Sequence, residues 1–234
     1  MTCQSISVVI PVFNEALLLR AVLLKLMDNL EDICSTFEVV LSENGSNDGS
    51  AELAESIAAE YTAVRVLHSR TADYGYALKR GLSLATGEYV FHCAVDFVDL
   101  DFLRSALQLI NNHDAVLGSK YTAQGGDERS RFRHFGGMFH SWAVRILFSL
   151  PFTDTHGIKL LKRESVLPYV AKCQLGGAVF DSELVLRLSD AGLRICEIPL
   201  KSAEIRPSRR SSLRVGARSA ADLVRLALLR RKWS

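Results

Sequence analysis

Cysteine is scarce in this 234-residue chain, and the five present, Cys3, Cys34, Cys93, Cys173 and Cys196, are odd in number and far apart. That distribution argues against a disulfide framework and against a zinc site, so reduced thiols in a cytoplasmic protein are expected. No stretch approaches the roughly 20 apolar residues that span a bilayer, and the first residues lack a charged region followed by a long apolar run. Neither a membrane-spanning helix nor a signal peptide is therefore expected, and any membrane contact would be peripheral or supplied by a membrane-protein partner. The formal net charge is only +2, which gives no reason to expect nucleic acid. Two phosphate-binding signatures are also missing: no Gly-x-Gly-x-x-Gly turn follows the first apolar run, and no Gly-Lys-Ser/Thr occurs. A Rossmann dehydrogenase and a P-loop nucleotidase are both disfavoured. There is no internal repeat and no low-complexity tract.

What is present is enough for a sizeable core: 48% of the residues are hydrophobic and 23% charged, and the length suits one domain over residues 1–234. Short β-branched runs alternate with segments of helical period. Strands are expected at Ser7–Val12, Phe37–Leu41, Val64–Leu67, Tyr89–Ala94 and Ala115–Gly118. Helices are expected between them at Ala16–Asn29, Asp48–Glu60, Tyr74–Ala85 with Gly87 beyond its end, and Leu100–Asn111. Alternation at this spacing implies right-handed βαβ units, hence an α/β protein with a Rossmann-like, doubly wound, mainly parallel sheet flanked by helices.

Beyond residue 120 the pattern changes. Tyr121–Arg133 is polar, contains glycine and is rich in arginine, which predicts a long mobile loop, and loops of that length are usually functional. Phe135–Leu150 recovers helical periodicity and stops at Pro151. Further strands are expected at Ile158–Leu161 and Leu193–Leu200, with a helix from about Ser182 to Asp190 between them. Arg206–Ser212 reads as a disordered or inducible loop, and Leu213–Trp233 as a basic helix. From Arg206 onward there are nine Lys or Arg residues and one acidic residue, Asp222.

In an open parallel sheet, ligands bind outside the carboxyl ends of the strands. The first such end carries Pro11, Phe13, Asn14 and Glu15: a fixed backbone, a face on which a base can stack, and two groups equally suited to capping the next helix. The second, Ser42–Ser50, combines acceptors for a base or ribose with a glycine-rich turn whose Ser46 or Asp48 would cap a helix in any case. Taken together, the two ends favour a nucleotide.

Six segments in order carry a resemblance: VVIPVFNE at Val8–Glu15, ENGSNDGS at Glu43–Ser50, GYALKRG at Gly75–Gly81, GSK at Gly118–Lys120, DTHGIK at Asp154–Lys159 and FDSEL at Phe180–Leu184. The chain resembles glycosyltransferase family two, which has the GT-A fold. The last three segments are similar to the branch containing dolichyl-phosphate mannose and glucose synthases. The resemblance implies a nucleotide-sugar-binding half at 1–120, an acceptor half at 121–205, and a basic loop and C-terminal helix at 206–234. It implies that Pro11, Phe13, Glu15, Glu43, Ser46, Gly75 and Lys79 bind the nucleotide sugar.

The family usually follows its fourth strand with an Asp-x-Asp motif that holds Mg²⁺ or Mn²⁺ on the donor diphosphate. The matching positions here are Ala94, Val95 and Asp96, so Asp96 is the remaining metal-ligand and catalytic candidate. One carboxylate holds a hard cation less firmly than two. Either Asp96 alone keeps a weakly bound metal, or basic side chains replace it, or turnover is lost.

A hydroxyl acceptor needs a general base, for which Asp154, Asp181 and Glu183 are the candidates. A lipid phosphate is already an anionic nucleophile and needs cations to position it. Arg129, Arg131, Arg133, Lys159, Arg209, Arg210 and Arg214 would supply those cations to a polyprenyl phosphate. His156 is a further candidate for phosphate contact or for capping a turn. The apolar side of the C-terminal helix, with Leu223 and Leu226, suits either an anionic membrane surface or packing on the domain.

Overall fold

The computed structural model describes residues 3–121, 126–127, 142–202 and 212–233. The strands are β1 (Cys3–Val12), β2 (Cys34–Glu43), β3 (Val64–Leu67), β4 (Tyr89–His92), β5 (Ala115–Ser119), β6 (Gly126–Asp127), β7 (Lys159–Lys162), β8 (Ile195–Pro199) and β9 (Lys201–Ser202). The helices are α1 (Leu19–Ile33), α2 (Ser50–Glu60), α3 (Tyr74–Leu84), α4 (Leu100–Leu109), α5 (residues 142–148), α6 (Arg163–Lys172), α7 (Val179–Asp190) and α8 (Ser212–Arg230). Seven strands form one sheet in the order β3-β2-β1-β4-β7-β5-β8, and β6 pairs with β9 apart from it. All neighbours in the large sheet run parallel except β7, which lies antiparallel between β4 and β5. The expected mainly parallel α/β architecture is the observed one.

The unbroken apolar run of β1 follows from burial on both faces. Val8, Ile10 and Val12 point into a cluster with Leu23 and Leu26 of α1, Ile57 of α2 and Phe102 of α4. Val9 points the other way, toward Leu78 and Leu82 of α3, Val166 and Val170 of α6, and Phe180 and Leu184 of α7. Pro11 is tolerated in this central strand because pairing with β4 runs only from Ile6–Tyr89 to Val9–His92. Its missing N–H lies beyond the end of that ladder.

Two departures from expectation have physical causes. The helix α6 is absent from the sequence expectations because Pro168 interrupts its pattern. The segment is helical nonetheless, since Val166 and Val170, one turn apart, are both buried against the sheet. β4 ends at His92 rather than Ala94, because Phe97 N donates to Ala94 O at 3.1 Å and turns the chain back.

A third cluster joins Val144 and Phe148 of α5, Leu186 of α7, and Leu223 and Leu226 of α8. The inner side of the C-terminal helix therefore packs on the domain. Its end is pinned where Arg230 meets Asp190 at 2.7 Å and the Trp233 ring covers the Arg187 guanidinium. Most of the loop 121–133 and all of 203–211 lie outside the described residues.

Gly87 passes so close to β1 that a Cβ would meet Ser7 N at 2.6 Å and Ile6 C at 2.7 Å. Backbone cannot move aside there as a side-chain tip can. Gly87→Ala is expected to cost about 1–3 kcal/mol of stability, read as a lower urea midpoint at unchanged m value.

Candidate active site at the carboxyl edge of the sheet

The loops that leave β1 and β2 are stitched together by hydrogen bonds. Asn14 takes a left-handed backbone conformation (φ 58°), one that asparagine tolerates better than most residues. Its N–H donates to Ser46 Oγ at 3.1 Å, and its side-chain Oδ1 accepts from Asn47 N at 2.9 Å. Glu15 N donates to Ser50 Oγ at 2.7 Å, and Ala16 N to Asp48 Oδ2 at 3.2 Å. Ser46 N in turn donates to Glu43 Oε1 at 2.6 Å, and Asp73 N donates to Asn44 Oδ1 at 2.7 Å. The result is a firm rim, on which Phe13 stands 38% exposed.

Several residues expected to touch the nucleotide are thus occupied in building the rim. Glu43 is buried, with its second oxygen 3.3 Å from His68 Nδ1. Burial pushes its carboxyl up, but the Ser46 N–H and hydroxyl and the His68 ring outweigh this and hold it below the usual range. His68 also meets Glu55 at 2.5 Å, and these two carboxylates raise its pKa. Gly75 serves close packing: a Cβ there would lie 2.6 Å from Gly177 O. Lys79 donates to Cys173 O at 2.5 Å and Ala171 O at 3.2 Å, closing the end of α6. Both border an open groove of about 610 Å³ between α3 and residues 173–176, whose floor is helix rather than strand ends.

Asp96 sits partly exposed in the turn between Ala94 and Phe97, just beyond β4. Lys120, at the end of β5, places its ammonium 4.8 Å from the centre of the Phe97 ring. Among the described residues no cluster of three His, Cys, Asp or Glu side chains is arranged for a metal ion.

Behind the rim lies a buried polar chain. Lys159 Nζ contacts Asp181 Oδ1 at 2.6 Å and donates to Gly157 O at 2.7 Å. Tyr74 donates its hydroxyl to Asp181 Oδ2 at 2.9 Å and lies 3.2 Å from His92 Nε2. Burial pushes the Asp181 carboxyl up, but the Lys159 ammonium beside it wins and holds it below its ordinary value. Tyr74 is pushed well up by burial and by Asp181, so it stays a neutral donor. Burial lowers His92 to about 4. A neutral ring whose Nε2 donates to the Tyr74 oxygen leaves Nδ1 as the acceptor, and that atom is buried with no hydrogen-bond partner.

The expected acceptor residues divide. Lys159 and Asp181 are brought together, but with each other, at 2% and 1% exposure. Glu183 is fully enclosed: its oxygens accept from Gln174 N and Leu175 N and pair with Arg187 at 2.8 Å. A base that must touch an acceptor has no open oxygen at either position. Asp154, also buried, accepts from His156 N at 2.9 Å, and Thr153 N and Asp154 N donate to Glu197. Arg129, Arg131, Arg133, Arg209 and Arg210 lie outside the described residues, as does the side chain of Arg214. Sequence reasoning missed Tyr74, His92, Asp73 and Glu197. Only Asp73 carried a local signal, as a helix N-cap accepting from Tyr76 N at 2.9 Å.

The mainly parallel sheet with one reversed strand is the fold of GT-A glycosyltransferases. The chain belongs to the family described as glycosyl transferase family 2, whose model matches residues 7–167. It is 27% identical to glycosyltransferase AglD of Haloferax volcanii over 83% of this chain and 32% of that protein. It is 25% identical to a dolichyl-phosphate β-glucosyltransferase of Trichomonas vaginalis over 94% of this chain and 70% of that one. The chain thus spans about a third of the length of the first relative. Glucosyl-3-phosphoglycerate synthase of Mycobacterium tuberculosis, solved with Mn²⁺, UDP-glucose and phosphoglyceric acid, superposes with a TM-score of 0.66 at 18% identity, over 96% of this chain and 80% of that one.

Removing one member of a buried ion pair strands the other charge. Asp181→Asn is expected to lower stability on the order of 3–5 kcal/mol, while Lys159→Met combined with Asp181→Leu recovers most of it. An Asp181→Asn protein with an unchanged melting midpoint and no transfer activity would instead restore the base assignment. His92 has a depressed folded pKa, so the unfolded state takes up its proton first as pH falls. Its contribution is complete above the ordinary value of 6.5 and is lost on the way to about 4, on the order of 3 kcal/mol in all. Urea melts across that range should show the slope, and His92→Gln should flatten it.

Proposed function

We propose that this chain transfers a hexose from a UDP- or GDP-linked sugar to a polyprenyl or dolichyl phosphate, with inversion at the anomeric carbon. The observation that carries the reading is the state of the three expected bases: Asp154, Asp181 and Glu183 are 5%, 1% and 0% exposed, Asp154 accepts from His156 N, and the oxygens of the other two are engaged. A hydroxyl acceptor needs a base to take its proton, whereas a phosphate monoester oxygen is already anionic and attacks without one. The match across 94% of the chain to a dolichyl-phosphate β-glucosyltransferase supports the same acceptor class.

In this reading the rim holds the donor, with Phe13 as the stacking face for the base and the Asn14–Ser46 and Asn47–Asn14 bonds keeping the two loops in place. An acceptor phosphate oxygen attacks the anomeric carbon as the bond to the nucleoside diphosphate breaks, and the diphosphate leaves with the bonding pair. Lys120 beside Phe97 supplies one cation for the acceptor phosphate, and this reading assigns the same role to Arg129, Arg131, Arg133, Arg209, Arg210 and Arg214. Asp96 is the residue that would hold Mg²⁺ or Mn²⁺. The donor set fits, because Mg²⁺ keeps several waters and accepts one or two carboxylates alongside substrate phosphates. Bound there, the ion would offset charge on the departing diphosphate. Ala94 favours a second reading, a nucleotide-sugar-binding module with impaired turnover.

The test incubates the protein with UDP- and GDP-sugars and a short-chain polyprenyl phosphate in detergent, with and without Mn²⁺. Glycolipid formation is the expected result, together with a lower Mn²⁺ requirement in Ala94→Asp. Donor binding without product under any condition, and product appearing only in Ala94→Asp, would establish the second reading. Transfer to a sugar or protein hydroxyl alone would overturn both.

A further inference from the structure

Among the described residues nine large apolar side chains stand exposed, and five of them lie on two helices: Trp142, Ile146 and Leu147 on α5, and Val224 and Leu228 on α8. Each is more than half exposed. They are not spillover from the core. Both helices already bury a separate inner row, Val144 and Phe148 on α5 and Leu223 and Leu226 on α8, in one shared cluster. Each helix therefore carries a second row of apolar side chains outside that cluster.

The two helices meet at their ends, where the Arg230 guanidinium donates to Phe148 O at 3.1 Å. The outer sides are also cationic. Arg145 is exposed between Trp142 and Ile146, and Arg225, Arg231 and Lys232 are exposed along the Val224–Leu228 row. The acidic residues nearby are less exposed and paired: Asp222 with Arg225 at 3.5 Å, and Asp190 with Arg230 at 2.7 Å. No described helix is long and apolar enough to cross a membrane.

We infer that the outer sides of α5 and α8 form a docking surface for an anionic lipid bilayer. Apolar side chains flanked by basic ones on a surface helix match the acyl–headgroup boundary, where the first enter and the second meet lipid phosphates. A second copy of the chain is a poorer occupant, because a two-fold contact would set Arg225, Arg231 and Lys232 against their own like charges. A nucleic acid would leave Ile146, Val224 and Leu228 without apolar partners. The inference deepens the proposed lipid-borne acceptor, for which such docking brings the site to its substrate, but the binding itself needs no substrate.

Flotation of the full chain with phosphatidylcholine vesicles, with and without phosphatidylglycerol, tests it. The protein is expected to float with the anionic vesicles and far less with the neutral ones. Arg231→Gln with Lys232→Gln should weaken binding about twenty-fivefold, at roughly fivefold per charge. Ile146→Ser with Leu228→Ser should weaken it about tenfold or more. Should the apolar pair fail to fold, Trp142 gives an independent readout: bromine-labelled lipid should quench the wild-type fluorescence, and Trp142→Phe should remove that quenching. Absence of flotation with anionic vesicles overturns the inference. So does sedimentation as a dimer that the Ile146→Ser, Leu228→Ser variant dissociates, since the second copy then owns the surface. Glycolipid synthesis in detergent without vesicle binding would sink the docking alone, and vesicle binding without synthesis would sink only the acceptor reading.

Discussion

Lys159 and Asp181 meet at 2.6 Å in a part of the protein that water hardly reaches, and several elements of the fold are arranged around that contact. The pair joins the start of β7 to the first turn of α7. Through Tyr74 and His92 it extends to the start of α3 and the end of β4. Four elements from distant parts of the chain are thereby held at one point, immediately behind the turn that carries Asp96. Two isolated charges would be very costly here. They are tolerated because each neutralises the other, and because Gly157 O and the Tyr74 hydroxyl satisfy further valences. Net stability from such a pair is small, but its geometric demand is high: a partner displaced by a few ångströms leaves a bare charge.

That constraint bears on chemistry. A carboxylate locked between an ammonium and a phenol is poorly placed to collect a proton, and Glu183, two residues further along α7, is spent on Gln174, Leu175 and Arg187. Contacts with neighbouring elements hold the acidic residues of this region inside the fold. The rim at the ends of β1 and β2 is likewise made of polar groups that bind one another, so its shape is fixed by the fold itself, and preorganisation of this kind reduces the cost of binding any ligand.

Electrostatics at the β4 turn are correspondingly lean. Ala94 leaves one carboxylate, Asp96, where the family pattern has two, and the Lys120 ammonium stands over the adjacent Phe97 ring. A site with fewer fixed anions relies more on the donor's own phosphates to hold a cation and on basic side chains to balance charge.

The strand–helix alternation of residues 7–119 was legible in the sequence because a strand buried on both faces must be apolar throughout, and its covering helices must be apolar on one side. Motif order was legible for the same reason that strand ends are: Pro11, Asn14, Gly45 and Gly49 mark places where the backbone turns. The partners of polar side chains were not legible. Nothing local distinguishes a Lys159 that greets a substrate from one that neutralises Asp181, 22 residues on, or a Lys79 that binds phosphate from one that closes α6. The sequence by itself determined the strand–helix alternation of residues 7–119, the family it belongs to, and that Ala94 replaces a usual carboxylate, since each is a property of neighbouring residues. Only the tertiary structure decided which charged groups face inward, because that depends on which elements the sheet order brings together. Burial then converts a candidate catalyst into a fixed member of the core.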